Sequence, residues 1–158
     1  MTFDKLIFDT LRANGMPVEL ANLMTAQAGH ETGGYTSNLF KSCSNAFGYK
    51  YAGQAIATKG IQSPEGDYYA KYATVADSAK ELAAWIKRRV NEGKFPANLA
   101  SIKTAEQYAA LLKNAGYFGA PLSEYTAGLK RFFKEHSTGT GTAAIMLACV
   151  GLYFLLSK

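Results

Sequence analysis

The chain has 158 residues, a formal net charge of +5, 48% hydrophobic residues and 18% charged residues. This length suits one domain with a core of ordinary size, and the composition excludes a long disordered tract. The basic excess fits an anionic partner such as a cell wall or an anionic lipid surface, or simply a soluble basic surface. No lysine or arginine cluster is dense enough to indicate nucleic acid, so we expect no nucleic-acid partner.

Two helices are predicted in the first part of the chain. The first covers residues 2–13, and the second begins at Pro17 and ends at Gly33, because proline favours the first helical position and glycine the C-terminal cap. The apolar stripe of the second helix recurs every three or four residues. Its positions are Ala21, Met24 and Ala28, and the next position on the stripe is Glu31.

Residues 48–73 are rich in tyrosine and interrupted by glycine and proline, which is typical of a loop or a short β-hairpin. Thr74 and Asp77 form a variant capping box, which predicts a helix that reaches Val90. Two further helices are expected after these. One begins at Thr104, with Gln107 completing its capping box, and ends at Gly116, and the last begins at Pro121 and carries Tyr125, Leu129, Phe132 and Phe133 at helical spacing.

The two cysteines are expected to be unpaired, because Cys149 lies in an apolar run and Cys43 in a polar turn region. Zinc sites need several clustered ligands, and His30 and His136 are too far from either cysteine to form a recognisable motif. We therefore expect no metal and no cofactor.

Glu31 is the residue whose position in the sequence suggests a catalytic role. A carboxylate on an apolar stripe is unfavourable unless it is paired or protonated. Burial and the negative end of the helix dipole both favour the neutral form, so we expect a raised pKa for Glu31. A protonated carboxylic acid is the proton donor that glycosidic cleavage requires. The alternative is a structural glutamate that forms a salt bridge at a helix end.

Four segments in the same order resemble motifs of the glucosaminidase family, which includes flagellar muramidases and bacterial autolysins. The family patterns are A-Q-A-x-x-E-S/T-G, N-L-F-G-I-K, F-R-x-Y-x-S and A-G-Y…Y-A-x-x-L. The matching segments are residues 26–35 (AQAGHETGGY), 45–50 (NAFGYK), 69–78 (YAKYATVADS), and 114–117 (NAGY) with 125–129 (YTAGL). Together they cover most of the chain from about residue 18 to residue 133.

The resemblance implies an α-rich (α+β) lysozyme-like fold, with a helical bundle and a small β-hairpin lobe that faces a cleft. It implies that Glu31 is the general acid. It also implies substrate-binding positions at Asn45 and Phe47 in the turn that shapes the cleft floor, at Tyr117 in the cleft, and at Tyr72 on its far side. For each aromatic residue, plain core packing is the alternative.

The chain departs from the family pattern at the second carboxylate, which the family places on the hairpin in a T-x-E context. Here Thr58 is followed two residues later by Gly60. Glu65 and Asp67 lie nearby and are candidate catalytic residues, although neither matches the motif. If neither residue acts, the anomeric carbon would be attacked by the substrate's own N-acetyl or 6-hydroxyl group, or by loosely activated water. The 6-hydroxyl route is that of a lytic transglycosylase and gives anhydro products.

The C-terminal segment is predicted to be a membrane anchor. Residues 143–156 are all apolar or glycine. Neighbouring neutral residues bring the run close to the about 20 residues that cross a bilayer. We expect a catalytic domain over residues 1–136, a linker over 137–142 and a transmembrane helix over 143–157. A buried core helix is the alternative.

These features together predict a glycosidase that cleaves β-1,4 bonds between the amino sugars of peptidoglycan. A peptidoglycan-degrading domain that lacks a signal peptide but carries a C-terminal membrane anchor is typical of a bacteriophage lytic enzyme. It would sit in a virion membrane or in the bacterial inner membrane facing the wall, so its expected partners are peptidoglycan and lipid. A tail-anchored bacterial autolysin is the cellular alternative. An inactive wall-binding or structural virion protein with the same fold is the alternative from another class.

Overall fold

The computed structural model describes residues 1–136. The predicted linker and anchor, residues 137–157, lie outside the described residues. Within residues 1–136, no helix has both the length and the apolarity needed to cross a bilayer.

Six α-helices and one two-stranded sheet make up the described part of the chain. The helices are α1 (Phe3–Ala13), α2 (Val18–Thr32), α3 (Asn38–Cys43), α4 (Val75–Asn91), α5 (Ala105–Asn114) and α6 (Leu122–Phe132), with a 3-10 turn at Leu99–Ser101. The strands β1 (Ala57–Gln62) and β2 (Tyr68–Tyr72) pair antiparallel, with an irregularity in register after Lys59. The α-rich fold with a small hairpin is thus confirmed.

Local capping explains where most helices begin and end. The Thr74 hydroxyl accepts a hydrogen bond from the Asp77 backbone N–H at the start of α4. Thr104 and Gln107 form a complete capping box at the start of α5. Gly33 closes α2 in the left-handed conformation, with φ of +58°. Each such cap stabilises its helix by about 1 kcal/mol, which is why the sequence predicted these boundaries.

Helix α2 runs through the centre of the core, and α1 and α6 pack against it. Eleven of its fifteen residues are buried, including the predicted stripe of Ala21, Met24 and Ala28. On α6, Tyr125 and Leu129 are buried. Phe133, which was predicted to continue the helical spacing, follows the end of the helix instead and is 39% exposed.

Two glycines let α2 and α6 approach closely. A Cβ atom on Gly29 of α2 would lie 2.9 Å from the Phe132 ring of α6, and one on Gly128 of α6 would lie 2.3 Å from the His30 ring of α2. Each glycine therefore leaves room for an aromatic ring of the opposite helix. This packing brings Tyr125 of α6 next to Glu31 of α2.

Candidate active site

Glu31 lies in the last turn of α2, in the wall of an open cleft of about 630 Å³. One carboxyl oxygen, Oε1, accepts a hydrogen bond from the Tyr125 hydroxyl at 2.6 Å. The other, Oε2, faces Gly48, where a Cβ atom would lie 3.7 Å away. Burial raises the pKa of Glu31, and the Tyr125 hydrogen bond acts in the opposite direction. The partial burial of Glu31 therefore supports the expectation that its carboxyl group can hold a proton and act as an acid.

The Tyr125 ring packs against aromatic rings on two sides. Its ring stacks on Phe118 at a centroid distance of 3.8 Å, and the His30 ring packs edge-on against it at 5.0 Å. Burial and the neighbouring Glu31 carboxyl raise the pKa of Tyr125, so its hydroxyl stays a neutral donor. From the sequence, Tyr125 was placed only in the closing motif and at helical spacing in the last helix. Its contact with Glu31 was missed, because the two residues are 94 positions apart.

The turn over residues 45–49 is organised by the Asn45 side chain. Its amide nitrogen donates to the carbonyl oxygens of Tyr49 and Ala70 at 2.9 and 2.8 Å. Its amide oxygen accepts from the backbone N–H groups of Phe47 and Tyr49 at 3.3 and 3.1 Å. Asn45 is only 1% exposed and does not line the cleft, so its side chain shapes the turn from beneath. Gly48 takes φ of +66°, which turns the chain beside Glu31.

Phe47 and Tyr117 line the same cleft as Glu31. The Tyr117 hydroxyl donates to the Phe47 carbonyl oxygen at 2.5 Å, which ties the loop after α5 to the turn. The edge of the Tyr117 ring also contacts Trp85 at a centroid distance of 5.4 Å. Three predicted site residues, Glu31, Phe47 and Tyr117, are therefore brought together.

The other predicted site residues do not line this cleft. Tyr72, in the last position of β2, is only 2% exposed. Glu65 is exposed in the hairpin turn and pairs with Lys50 at 2.9 Å. Hydrogen bonds from Lys50, first of all, and from Ser63 and the Glu65 backbone lower the pKa of Glu65 to about 2. Asp67 is exposed next to the start of β2. Among the described residues, Glu31 is the only carboxylate that lines the cleft.

Gly60, the position that the motif resemblance aligns with a second carboxylate, has no room for a side chain. A Cβ atom there would lie 2.6 Å from the Cys43 sulfur of α3 and 3.0 Å from the Tyr69 carbonyl oxygen. A side chain at position 60 would thus run into α3 and the hairpin backbone. The predicted loss of a carboxylate at this position has a steric reason.

No group of three or more histidine, cysteine, aspartate or glutamate side chains within residues 1–136 is placed to hold a metal ion. Cys43 is a buried free thiol. The cleft is thus lined by the half-buried Glu31 carboxyl, by aromatic rings, and by the Tyr117 and Tyr125 hydroxyl groups, each of which donates a hydrogen bond.

The family model "Glucosaminidase", described as mannosyl-glycoprotein endo-beta-N-acetylglucosaminidase, matches residues 11–138. Two solved structures are similar. A peptidoglycan hydrolase from Sphingomonas sp. A1 has a TM-score of 0.58 at 19% identity, covering 91% of this chain and 88% of that one. The catalytic domain of the autolysin Auto from Listeria monocytogenes has a TM-score of 0.53 at 21% identity, covering 82% and 77%. No curated protein matches the chain in sequence.

Proposed function

Because the chain belongs to the glucosaminidase family of glycoside hydrolases, we propose that it cleaves β-1,4 bonds between the amino sugars of peptidoglycan. The observation that carries this proposal is Glu31, a half-buried carboxyl with a raised pKa in the wall of an open cleft. The two similar structures are those of a peptidoglycan hydrolase and an autolysin, which supports this substrate. The open cleft favours an enzyme over an inactive wall-binding or structural virion protein.

In the proposed reaction, Glu31 donates its proton to the oxygen of the leaving sugar as the glycosidic bond breaks. Tyr125 stabilises the carboxylate that remains, since its hydroxyl already donates to Oε1. The substrate-positioning role of Tyr117 rests on its place in the cleft. Phe47 also lines the cleft but is only 2% exposed, so we assign it, like Asn45, an indirect role in shaping the turn beside Glu31.

The nucleophile is proposed to come from the substrate or from water, because no second carboxylate among residues 1–136 lines the cleft. A 6-hydroxyl that attacks the anomeric carbon would pass its proton to the Glu31 carboxylate and leave a 1,6-anhydro sugar. This second candidate function, lytic transglycosylation, is favoured by the steric block at Gly60.

Kinetics and product analysis with four variants test these proposals. Glu31→Gln should lose activity on purified peptidoglycan by about 10²- to 10⁴-fold, the usual contribution of a positioned acid. Glu65→Ala and Asp67→Ala should keep activity within a few-fold. Glu19→Gln is the matched control, because Glu19 is exposed on the same helix and should not affect the rate.

Mass spectrometry of the products then separates the two routes, since hydrolysis gives reducing ends and transglycosylation gives anhydro ends. Full activity in a folded Glu31→Gln protein would refute the role of Glu31. A loss of about 10²-fold in Glu65→Ala or Asp67→Ala, with reducing-end products, would refute the single-acid mechanism.

We further propose that residues 143–157 anchor the enzyme in a membrane, with residues 137–142 as the linker. The apolar run itself supports this, and the family match ends at residue 138, before the run begins. An anchored wall-cutting enzyme suits a bacteriophage lytic protein in a virion membrane or in the bacterial inner membrane facing the wall.

A further inference from the structure

A second groove, which we call the side groove, adjoins the Glu31 cleft. It has a volume of about 810 Å³ and lies between residues 52–56 and one face of α4. Tyr49, Lys50 and Trp85 line both the side groove and the cleft. A branched or extended substrate bound at Glu31 can therefore continue into the side groove without leaving the protein surface.

The rim of the side groove carries charges of both signs. Lys50 lies on one wall, and Lys80, Glu81 and Arg88 come from α4. Glu81 accepts a hydrogen bond from Arg88 at 2.9 Å and is itself nearly buried, while the Arg88 side chain is 52% exposed. Arg88 can therefore reach a ligand while it remains paired.

The two lysines have partners that do not line the groove. Lys50 pairs with Glu65 and Lys80 with Asp77, each at 2.9 Å. Both lysine side chains are at least 40% exposed, and exposed ion pairs of this kind are weak. A carboxylate on a bound ligand can therefore replace Glu65 or Asp77 at little cost.

The side groove is also lined by apolar residues, among them Ala84, Trp85 and Ile56, and Ile56 is 44% exposed. A glycan strand without stems carries only the lactyl carboxylates of its muramic acid residues, so it offers no amine to Glu81 and no side-chain methyl groups to the apolar lining. A short peptide with free carboxylates, an amine and methyl groups would match both the charged and the apolar lining residues.

We propose that the side groove binds the acidic peptide stems that peptidoglycan carries, so that the enzyme prefers glycan strands with stems over bare strands. This inference rests on the proposed function and extends it from the glycan to the peptide. The cleft would hold the sugars at Glu31, and the side groove would hold a stem beyond Trp85.

The test compares kcat/KM of the 158-residue chain on soluble glycan strands with stems and on the same strands after an amidase has removed the stems, which leaves one lactyl carboxylate on each muramic acid. We expect a preference of about five-fold or more for strands with stems, since each exposed charge pair contributes about two- to five-fold. Lys80→Gln should reduce this preference by about two- to five-fold. Higher ionic strength should reduce the preference of the unmodified enzyme as well.

Lys87→Gln is the matched control, because Lys87 is exposed on the same helix but lines neither groove. Its preference should equal that of the unmodified enzyme. Equal rates on both strand types would overturn the peptide site but leave the proposed function intact, as would a preference that Lys80→Gln does not change. Failure of the unmodified enzyme to cut either strand would overturn the proposed function and the peptide site together.

Discussion

Replacing Tyr125 by phenylalanine tests how the protein sets the acidity of Glu31. The change removes the hydroxyl that donates to Oε1 at 2.6 Å and keeps the ring that stacks on Phe118. A hydrogen bond to a charged group contributes about 1.5–3 kcal/mol, and one pH unit corresponds to about 1.4 kcal/mol. Since this bond favours the ionised form, its loss should raise the pKa of Glu31 further.

The general acid must be protonated to act, so activity falls as pH rises through the pKa of Glu31. In Tyr125→Phe, the basic limb of the kcat/KM profile should therefore move to higher pH by about one to two units. Tyr108→Phe is the matched control, because the buried Tyr108 hydroxyl donates to the neutral Gln27 amide oxygen and not to Glu31. The profile is measured by release of soluble fragments from labelled peptidoglycan. A basic limb that stays in place or moves to lower pH in Tyr125→Phe would refute this reasoning, as would an equal shift in Tyr108→Phe.

Two further predictions concern packing and the C-terminal segment. Gly60→Ala should reduce the free energy of unfolding by about 1–3 kcal/mol in urea denaturation, because its Cβ would meet the Cys43 sulfur. Adding Cys43→Ala should recover part of that loss, and strictly additive losses would contradict the contact. Deleting residues 139–158 should leave a soluble, folded domain that still cuts peptidoglycan within a few-fold of the full chain. Aggregation or unfolding of the truncated chain would show that the segment belongs to the core.

The sequence predicted most of the described fold because the signals are local. Caps such as Thr74 and Thr104 lie within three residues of the backbone groups they bind, and Gly33 ends α2 through its own conformation. The apolar stripe of α2 placed Glu31 correctly near the helix end. Helix α3 was missed, because its six residues are too few to show a helical period.

The candidate site was only partly predictable because its key contacts join distant parts of the chain. The hydrogen bond from Tyr125 to Glu31 depends on the close approach of α2 and α6, which Gly29 and Gly128 permit. Asn45 was predicted to bind substrate from its motif alone. In the structure four hydrogen bonds to backbone groups occupy its side chain, and a motif cannot distinguish that role from direct contact.

The steric block at Gly60 has a consequence for the proton cycle of the proposed reaction. With no second carboxylate in the described part of the cleft, Glu31 must give a proton to the leaving oxygen and then take one back from the attacking hydroxyl group. A group that serves as both acid and base works best when its pKa lies near the working pH. Burial raises the pKa of Glu31, which keeps the acid protonated before cleavage and makes its carboxylate a better base afterwards. The Tyr125 hydrogen bond acts in the opposite direction and favours release of the proton to the leaving oxygen. In a single-acid mechanism, Tyr125 and the desolvation of Glu31 therefore act on the two halves of the same proton cycle.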